Sequence, residues 1–338
     1  MANERTIVVG AGGISAAWFK PLAAEQVTVA AVVDLDVERA AKRIAEFNLT
    51  AEPSTNLRKM IRKHKPDFVI DLTVPDAHCA VTCTALNMGC HVVSEKPMAS
   101  TMTQARRMVA TAEKTGKCYM VSQSRRWNAI HHSTRGLIAG GAIGPVTTLN
   151  CDFYIGAHFG GFRDEMASPL ILDMAIHHFD LARYLAGADP LAVYAVEFNP
   201  AGSWYKGDAA ASCIFEMTNG IVFTYRGSWC AEGCHTSWNG DWRIVGPGGT
   251  IRMEKDQPPA GQAVEGADGF HSKLKEIPAP APTLEFTDMR AGLREMLAFL
   301  RTGTKPQTEC HDNIQSLAMV LAAIESSKKR RRVPVRGV

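Results

Sequence analysis

The sequence lacks a CxxC pair, an uninterrupted run of about 18 apolar residues, and any large excess of one charge. Its nine cysteines, at 79, 83, 90, 118, 151, 213, 230, 234 and 310, therefore spell neither a zinc ribbon nor a disulfide framework. Cys79 with Cys83, or Cys230 and Cys234 with His235, could each offer soft ligands. Free thiols buried in a reducing compartment are the expectation, and no metal site is assigned. The missing apolar run argues against a transmembrane helix. Met1 to Arg5 carries Glu4 and Arg5 and leads into only a short apolar stretch, Ile7 to Val9, so it does not read as a signal peptide. A cytoplasmic protein with no membrane partner is expected.

Charge excludes a second class. Thirty-seven basic and 34 acidic side chains leave +3, and six of the basic groups lie in Lys328 to Val338, a stretch without an acid. Without that tail the body stands at −3, so no cation-rich face for nucleic acid is indicated. The Lys328-Lys329-Arg330-Arg331-Arg332 run reads as a solvated end after a helix, where cations also suit the helix dipole. What is present is ordinary globular composition, 46% hydrophobic and 21% charged over 338 residues, a length that suits two domains better than one core.

The first third alternates β-branched runs with amphipathic stretches, the pattern of a parallel sheet covered on both faces. Strands are predicted at Thr6 to Val9, Val27 to Val33, Phe68 to Thr73, His91 to Ser94 and Cys118 to Val121. Helices fill the gaps at Ser15 to Glu25, Val37 to Phe47, Asn56 to Lys63, Asp76 to Met88 and Thr103 to Thr115. Asn56 and Asp76 are expected as N-caps, Gly89 and Gly116 as stops. Residues 1–124 are thus expected to form a doubly wound α/β domain of the Rossmann kind.

Residues 125–338 read differently. A helix from Arg125 to Ala139 is followed by strands at Val146 to Ile155, Leu191 to Phe198, Ala209 to Met217, Ile221 to Ser228 and Trp242 to Val245. Asn219-Gly220 and Gly246-Pro247-Gly248-Gly249 supply turns between them. An open, largely antiparallel mixed sheet is expected, interrupted by a helix at Leu170 to Leu185 and closed by helices at Leu284 to Arg301 and His311 to Lys329. Residues 255–282, with Pro278, Pro280 and Pro282 alternating, are expected to be an irregular excursion.

Three segments carry chemistry. Gly10-Ala11-Gly12-Gly13-Ile14-Ser15 joins the first strand to its helix, where small residues let a pyrophosphate approach the helix N-terminus. Asp34 follows at the end of the second strand, placed to accept from both ribose hydroxyls and, with Asp36, to repel a 2′-phosphate. NAD is favoured over NADP, although Arg39 and Arg43 keep NADP in view. Ser94-Glu95-Lys96-Pro97 ends a later strand, where open α/β sheets place ligands and a lysine can stabilise a developing alkoxide. Asp173-Met174-Ala175-Ile176-His177-His178-Phe179-Asp180 places Asp173, His177 and Asp180 on one helix face, where a carboxylate can orient an imidazole.

Together these segments resemble the Gfo/Idh/MocA oxidoreductases, the family of glucose-fructose oxidoreductase and inositol 2-dehydrogenase, along nearly the whole chain. The resemblance implies a nicotinamide domain, a second domain for substrate binding and oligomerisation, and dimers or tetramers. It implies Lys96, Asp173 and His177 as catalytic residues. Cofactor contacts are expected from Gly10, Gly12, Gly13, Ile14, Asp34, Thr73, Glu95 and Lys96, and substrate contacts from Lys96, Arg126, His158, Asp173 and His177. Ser15 stands where the family has a third glycine, and Met166 to Leu170 replaces its glycine-rich stretch. The expected activity is NAD-dependent hydride transfer at a secondary hydroxyl of a sugar, inositol or sugar derivative. The alternatives are transient oxidation that permits elimination or glycoside cleavage without net redox change, and a non-catalytic cofactor sensor.

Overall fold

The computed structural model describes residues 4–266, 269–281 and 283–337; Pro282 and the extreme ends of both predicted domains lie outside that set. The chain forms two compact units. One runs up to Ser124 and includes Glu285–Leu317; the other comprises Arg125–Leu284 and Ala318–Gly337. Residues 285–317, which the sequence reading placed with the second domain, fold with the first unit.

In the first unit, β1 (Arg5–Val9), α1 (Ser15–Ala24), β2 (Thr28–Val33), α2 (Val37–Glu46), β3 (Glu52–Ser54), α3 (Leu57–His64), β4 (Phe68–Asp71), α4 (Pro75–Asn87), β5 (His91–Glu95), α5 (Met102–Thr115) and β6 (Tyr119–Ser122) alternate along the chain. The six strands form a parallel sheet of order β3-β2-β1-β4-β5-β6. Ile7, Val8, Phe68, Val69, Ile70, Val92 and Val93 are fully buried, as apolar runs covered on both faces require. Asn56 caps α3 through a bond from Lys59 N. The cap expected of Asp76 is corrected: α4 begins one residue earlier, with Pro75 at its first position and Val74 as the flanking residue, because proline's fixed φ suits that place.

A 3-10 turn, Ser124–Trp127, leads into the second unit and precedes α6 (Ala129–Ala139), because Asn128 adopts extended backbone and caps α6. The single helix expected from Arg125 is thereby split. The chain continues through β7 (Thr148–Tyr154), a π-helical segment Leu170–Ala175 leading into α7 (Ile176–Ala186), β8 (Pro190–Phe198), β9 (Ala210–Met217), β10 (Val222–Ser228), β11 (Asp241–Gly246), β12 (Gly249–Met253), β13 (Ala260–Gly266) and β14 (Lys273–Ile277). Then α8 (Asp288–Thr302), α9 (Cys310–Lys329) and β15 (Val333–Pro334) close the fold. Nine strands form one sheet, ordered β14-β13-β12-β11-β7-β10-β9-β8-β15. Among the described residues of this sheet, only β7 and β10 pair in parallel. One face packs on α7: Phe179 lies 4.8 Å from Phe215 and 5.3 Å from Tyr225, ring centre to ring centre.

One expectation is corrected here. Residues 255–282 are not irregular throughout, since β13 and β14 form a hairpin that extends the sheet from β12. A side chain at Gly261 would crowd the Thr250 carbonyl at 3.0 Å, so this glycine serves close strand approach. Lys328 to Arg332 are exposed at and beyond the end of α9, as expected of a solvated end after a helix. Val333 pairs with Val193 and is buried, and Arg332 forms an ion pair with Glu216 at 2.6 Å.

Candidate active site

The glycine turn is shaped from two sides. Gly10 has φ of 98°, and a β-carbon there would lie 2.7 Å from the Leu72 carbonyl oxygen, so only glycine fits. Gly12 and Gly13 have open space where a side chain would stand. Ser15, at the position of the missing third glycine, is fully buried and donates its hydroxyl to the Gly12 carbonyl at 2.7 Å. Asp34 accepts from Ala11 N at 2.7 Å and Asp36 N at 3.0 Å, which fixes its carboxylate at the end of β2. Asp36 itself caps α2. Arg39 lies 3.8 Å from Asp34, and Arg43 donates to the Gly12 carbonyl at 3.2 Å. This cradle fits a dinucleotide: clear space over small residues at a helix start, with an anchored acid beside it for ribose hydroxyls. Ile14 is partly exposed in the same turn.

Lys96 directly follows β5, half-buried at the C-terminal end of the parallel sheet. Its neighbours on either side face inward. Glu95 accepts from the Trp18 indole N–H at 2.9 Å and from Lys96 N at 3.2 Å. Burial pushes the Glu95 carboxyl above its usual range, while the Trp18 bond and the Lys96 charge oppose that rise. Glu95, expected among the cofactor contacts, thus has its carboxylate engaged within the fold. Thr73 follows β4 and donates both its amide, at 3.2 Å, and its hydroxyl, at 2.6 Å, to Asp71. Sequence reasoning missed Trp18, Asp71 and His78. Asp71, a carboxylate at a strand end like Asp34, was the available signal.

In the second unit Asp173 lies within the π-helical segment, and His177 follows in the first turn of α7. Both are half-buried. Asp173 Oδ2 accepts from Arg163 Nε at 2.7 Å, and the Arg163 guanidinium sits 4.9 Å from the Phe159 ring and 4.7 Å from the Phe162 ring. Asp180, three residues beyond His177 in α7, is buried in a two-bond ion pair with Arg126, at 2.8 and 2.7 Å. Arg126, expected at the substrate, is buried in that pair. His158 is exposed, stacked 3.7 Å from the Trp204 ring centre, with its Nε2 2.8 Å from Glu232. His178, next to His177, is fully buried among Phe153, Tyr225 and Trp242, and burial holds it far below the usual histidine range.

Residues 5–123 match the family model described as "Oxidoreductase family, NAD-binding Rossmann fold", and residues 131–252 match the "GFO/IDH/MocA C-terminal domain". The chain belongs to this family. Gfo/Idh/MocA relatives include a 1,5-anhydro-D-fructose reductase of Ensifer adhaerens, 24% identical over 95% of this chain and 95% of its own. Another is a D-apiose dehydrogenase of Paraburkholderia graminis, 24% identical over 82% of this chain and 76% of its own. An oxidoreductase from Agrobacterium radiobacter, solved with NAD+, L-tartaric acid and magnesium, has the same fold, with a TM-score of 0.86, 21% identity and 99% of each chain covered. The protein is an NAD-dependent oxidoreductase of the Gfo/Idh/MocA family, and its Gly10–Ser15 turn and Asp34 lie within the matched nucleotide-binding region. No helix among the described residues is long and apolar enough to cross a membrane.

Proposed function

We propose that the protein transfers hydride between NAD and a secondary hydroxyl of a sugar, an inositol or a sugar derivative. The observation that carries this reading is a lysine directly after β5 in a nucleotide-binding unit, on a chain whose other unit presents Asp173 and half-buried His177 one after the other. Bound NAD supplies the carbon that takes or gives the hydride. Gly10, Gly12, Gly13 and Ile14 receive the pyrophosphate, Asp34 the ribose hydroxyls, and Thr73 flanks the turn. Lys96 polarises the reacting oxygen, and His177 takes its proton. Asp173, already accepting from Arg163, positions the imidazole.

A carbohydrate substrate is supported by the partly exposed rings of Phe159 and Trp238, 6.0 Å apart, with Phe159 under the guanidinium that binds Asp173. It also agrees with the substrates named for the apiose and anhydrofructose relatives. The direct test is to incubate purified protein and NAD with a panel of inositols, aldoses and 1,5-anhydro sugars, reading NADH absorbance and substrate loss together. Stoichiometric NADH with one compound is expected. Substrate loss without NADH would replace this reading with transient oxidation, and tight NAD binding without turnover of any compound would favour a sensor.

We also propose a homodimer or homotetramer assembled through the sheet of the second unit, in a cytoplasmic setting. The sheet face opposite α7 carries Tyr194, Val196, Phe198, Ile214 and Val222, each 40% exposed or more.

A further inference from the structure

His78 is fully buried in the first turns of α4, yet both its ring nitrogens meet acceptors. Nδ1 lies 2.9 Å from the Pro97 carbonyl oxygen and Nε2 lies 3.0 Å from the Thr73 carbonyl oxygen. A neutral imidazole has one N–H, so it could satisfy only one of these carbonyls and would turn a lone pair on the other. An imidazolium satisfies both. A counter-charge is at hand in Asp71, also fully buried, which accepts from Thr73 N, the Thr73 hydroxyl and the Thr82 hydroxyl at 3.2, 2.6 and 3.1 Å. Three donors and no acceptor around that carboxylate suit its ionised form. Burial pushes Asp71 upward, and the charge of His78 is foremost among the influences that draw it back. Glu95 is the other acid that feels His78.

The two carbonyls belong to the two turns that border the glycine loop and the lysine. Thr73 follows Leu72, whose carbonyl forms the wall against Gly10, and Pro97 follows Lys96. We infer that His78 is a positioning residue, an imidazolium whose two N–H groups fasten the Thr73 turn to the Lys96-Pro97 turn and so hold Lys96 at the sheet edge. Its catalytic consequence rests on the proposed role of Lys96; its protonation does not. Trp18, through Glu95, braces the same turn from α1.

The first test is imidazole ¹⁵N NMR on full-length, NAD-bound protein labelled at histidine, with the His78 signals identified by their absence in His78→Gln. Both nitrogens are expected to carry a hydrogen at about pH 7, one for each carbonyl. A ring with a single N–H at about pH 7 would overturn the inference. The second test is kinetic, using NAD and the panel compound turned over fastest. His78→Gln, whose single amide nitrogen cannot stand at both ring-nitrogen positions, should lower kcat about 10- to 100-fold while leaving NADH affinity, read by cofactor fluorescence, within about threefold. In a Lys96→Met background the same substitution should add little further loss. Unchanged kcat in folded His78→Gln, or a full additive loss in the Lys96→Met background, would remove the positioning role. Full activity of Lys96→Met alone would overturn the proposed function instead, and the NMR result would still decide whether the clamp is charged.

Discussion

Lys96 and His177 should behave as groups that act on the reacting oxygen and not on the cofactor's adenosine half. Lys96→Met and His177→Ala are each expected to lower turnover about 10² to 10⁴-fold, near 3 to 5 kcal/mol of transition-state stabilisation, with NAD affinity nearly unchanged. Asp173→Asn should be milder, since an amide oxygen can still accept from Arg163. If these residues only braced helices, melting temperature would fall while turnover per folded molecule stayed constant, so both are measured on one preparation. Asp34 governs a different property. Its carboxylate, fixed by Ala11 N and Asp36 N, repels a 2′-phosphate, so wild-type protein should bind NAD more tightly than NADP and Asp34→Ala should narrow the gap. Equal or tighter NADP binding by wild type, measured by titration, would remove that role. The residues named by motif, such as Asp34 and Lys96, were legible because chain-local patterns carry them. Those that hold them were not: Trp18 and Glu95 are 77 positions apart, and no local spacing announces such a bond.

At the scale of elements, the βα alternation of the first unit was legible because fully buried parallel strands are continuous apolar runs. β3 escaped because Glu52–Ser54 is a three-residue edge strand without a buried residue, and β12 to β14 because glycine and proline there mimic a loop. The return of α8 to the first unit was equally hidden, since it depends on pairs such as Arg290 with Glu25, at 2.6 Å across most of the chain. One strand carries a pH signature. Glu197 on β8 is buried, accepts from Ser168 at 3.4 Å and from no partner at its other oxygen, and burial pushes its carboxyl up to about 7. Asp208 adds to that rise and Lys328 opposes it. A carboxyl raised in the folded state contributes stability that is fully present below its unfolded value of 4.5 and lost as pH climbs through about 7. Glu197→Gln should therefore match wild type near pH 4 and exceed it by up to about 3 kcal/mol near pH 8. Urea unfolding at both pH values reads this directly, and parallel pH dependence in the two proteins would show that Glu197 is not the source.

For the whole molecule, the decisive feature is the uneven treatment of the nine-stranded sheet. Its inner face buries Phe215, Phe223, Tyr225 and Trp242 completely, whereas the outer face leaves Tyr194 46%, Phe198 48% and Ile214 50% exposed. Register makes these neighbours: Tyr194 pairs with Ile214 across β8 and β9, and Glu216 with Val222 across β9 and β10. The apolar stripe ends where Arg226 and Asp152 pair across β10 and β7, at 2.6 Å. A contiguous apolar strip with a charged margin is the pattern of a self-association face. Tyr194→Lys with Ile214→Lys places two cations side by side on the strip while the inner face stays intact, so the subunit should fold and fail to associate. Sedimentation at micromolar concentration is expected to show a dimer or tetramer for wild type and a 36.7 kDa species for the double variant. NAD affinity should be retained, because the glycine turn and Asp34 belong to the other unit. A wild-type protein that sediments as a monomer would dispose of the assembly, and a double variant that keeps the wild-type mass would move the interface to another face.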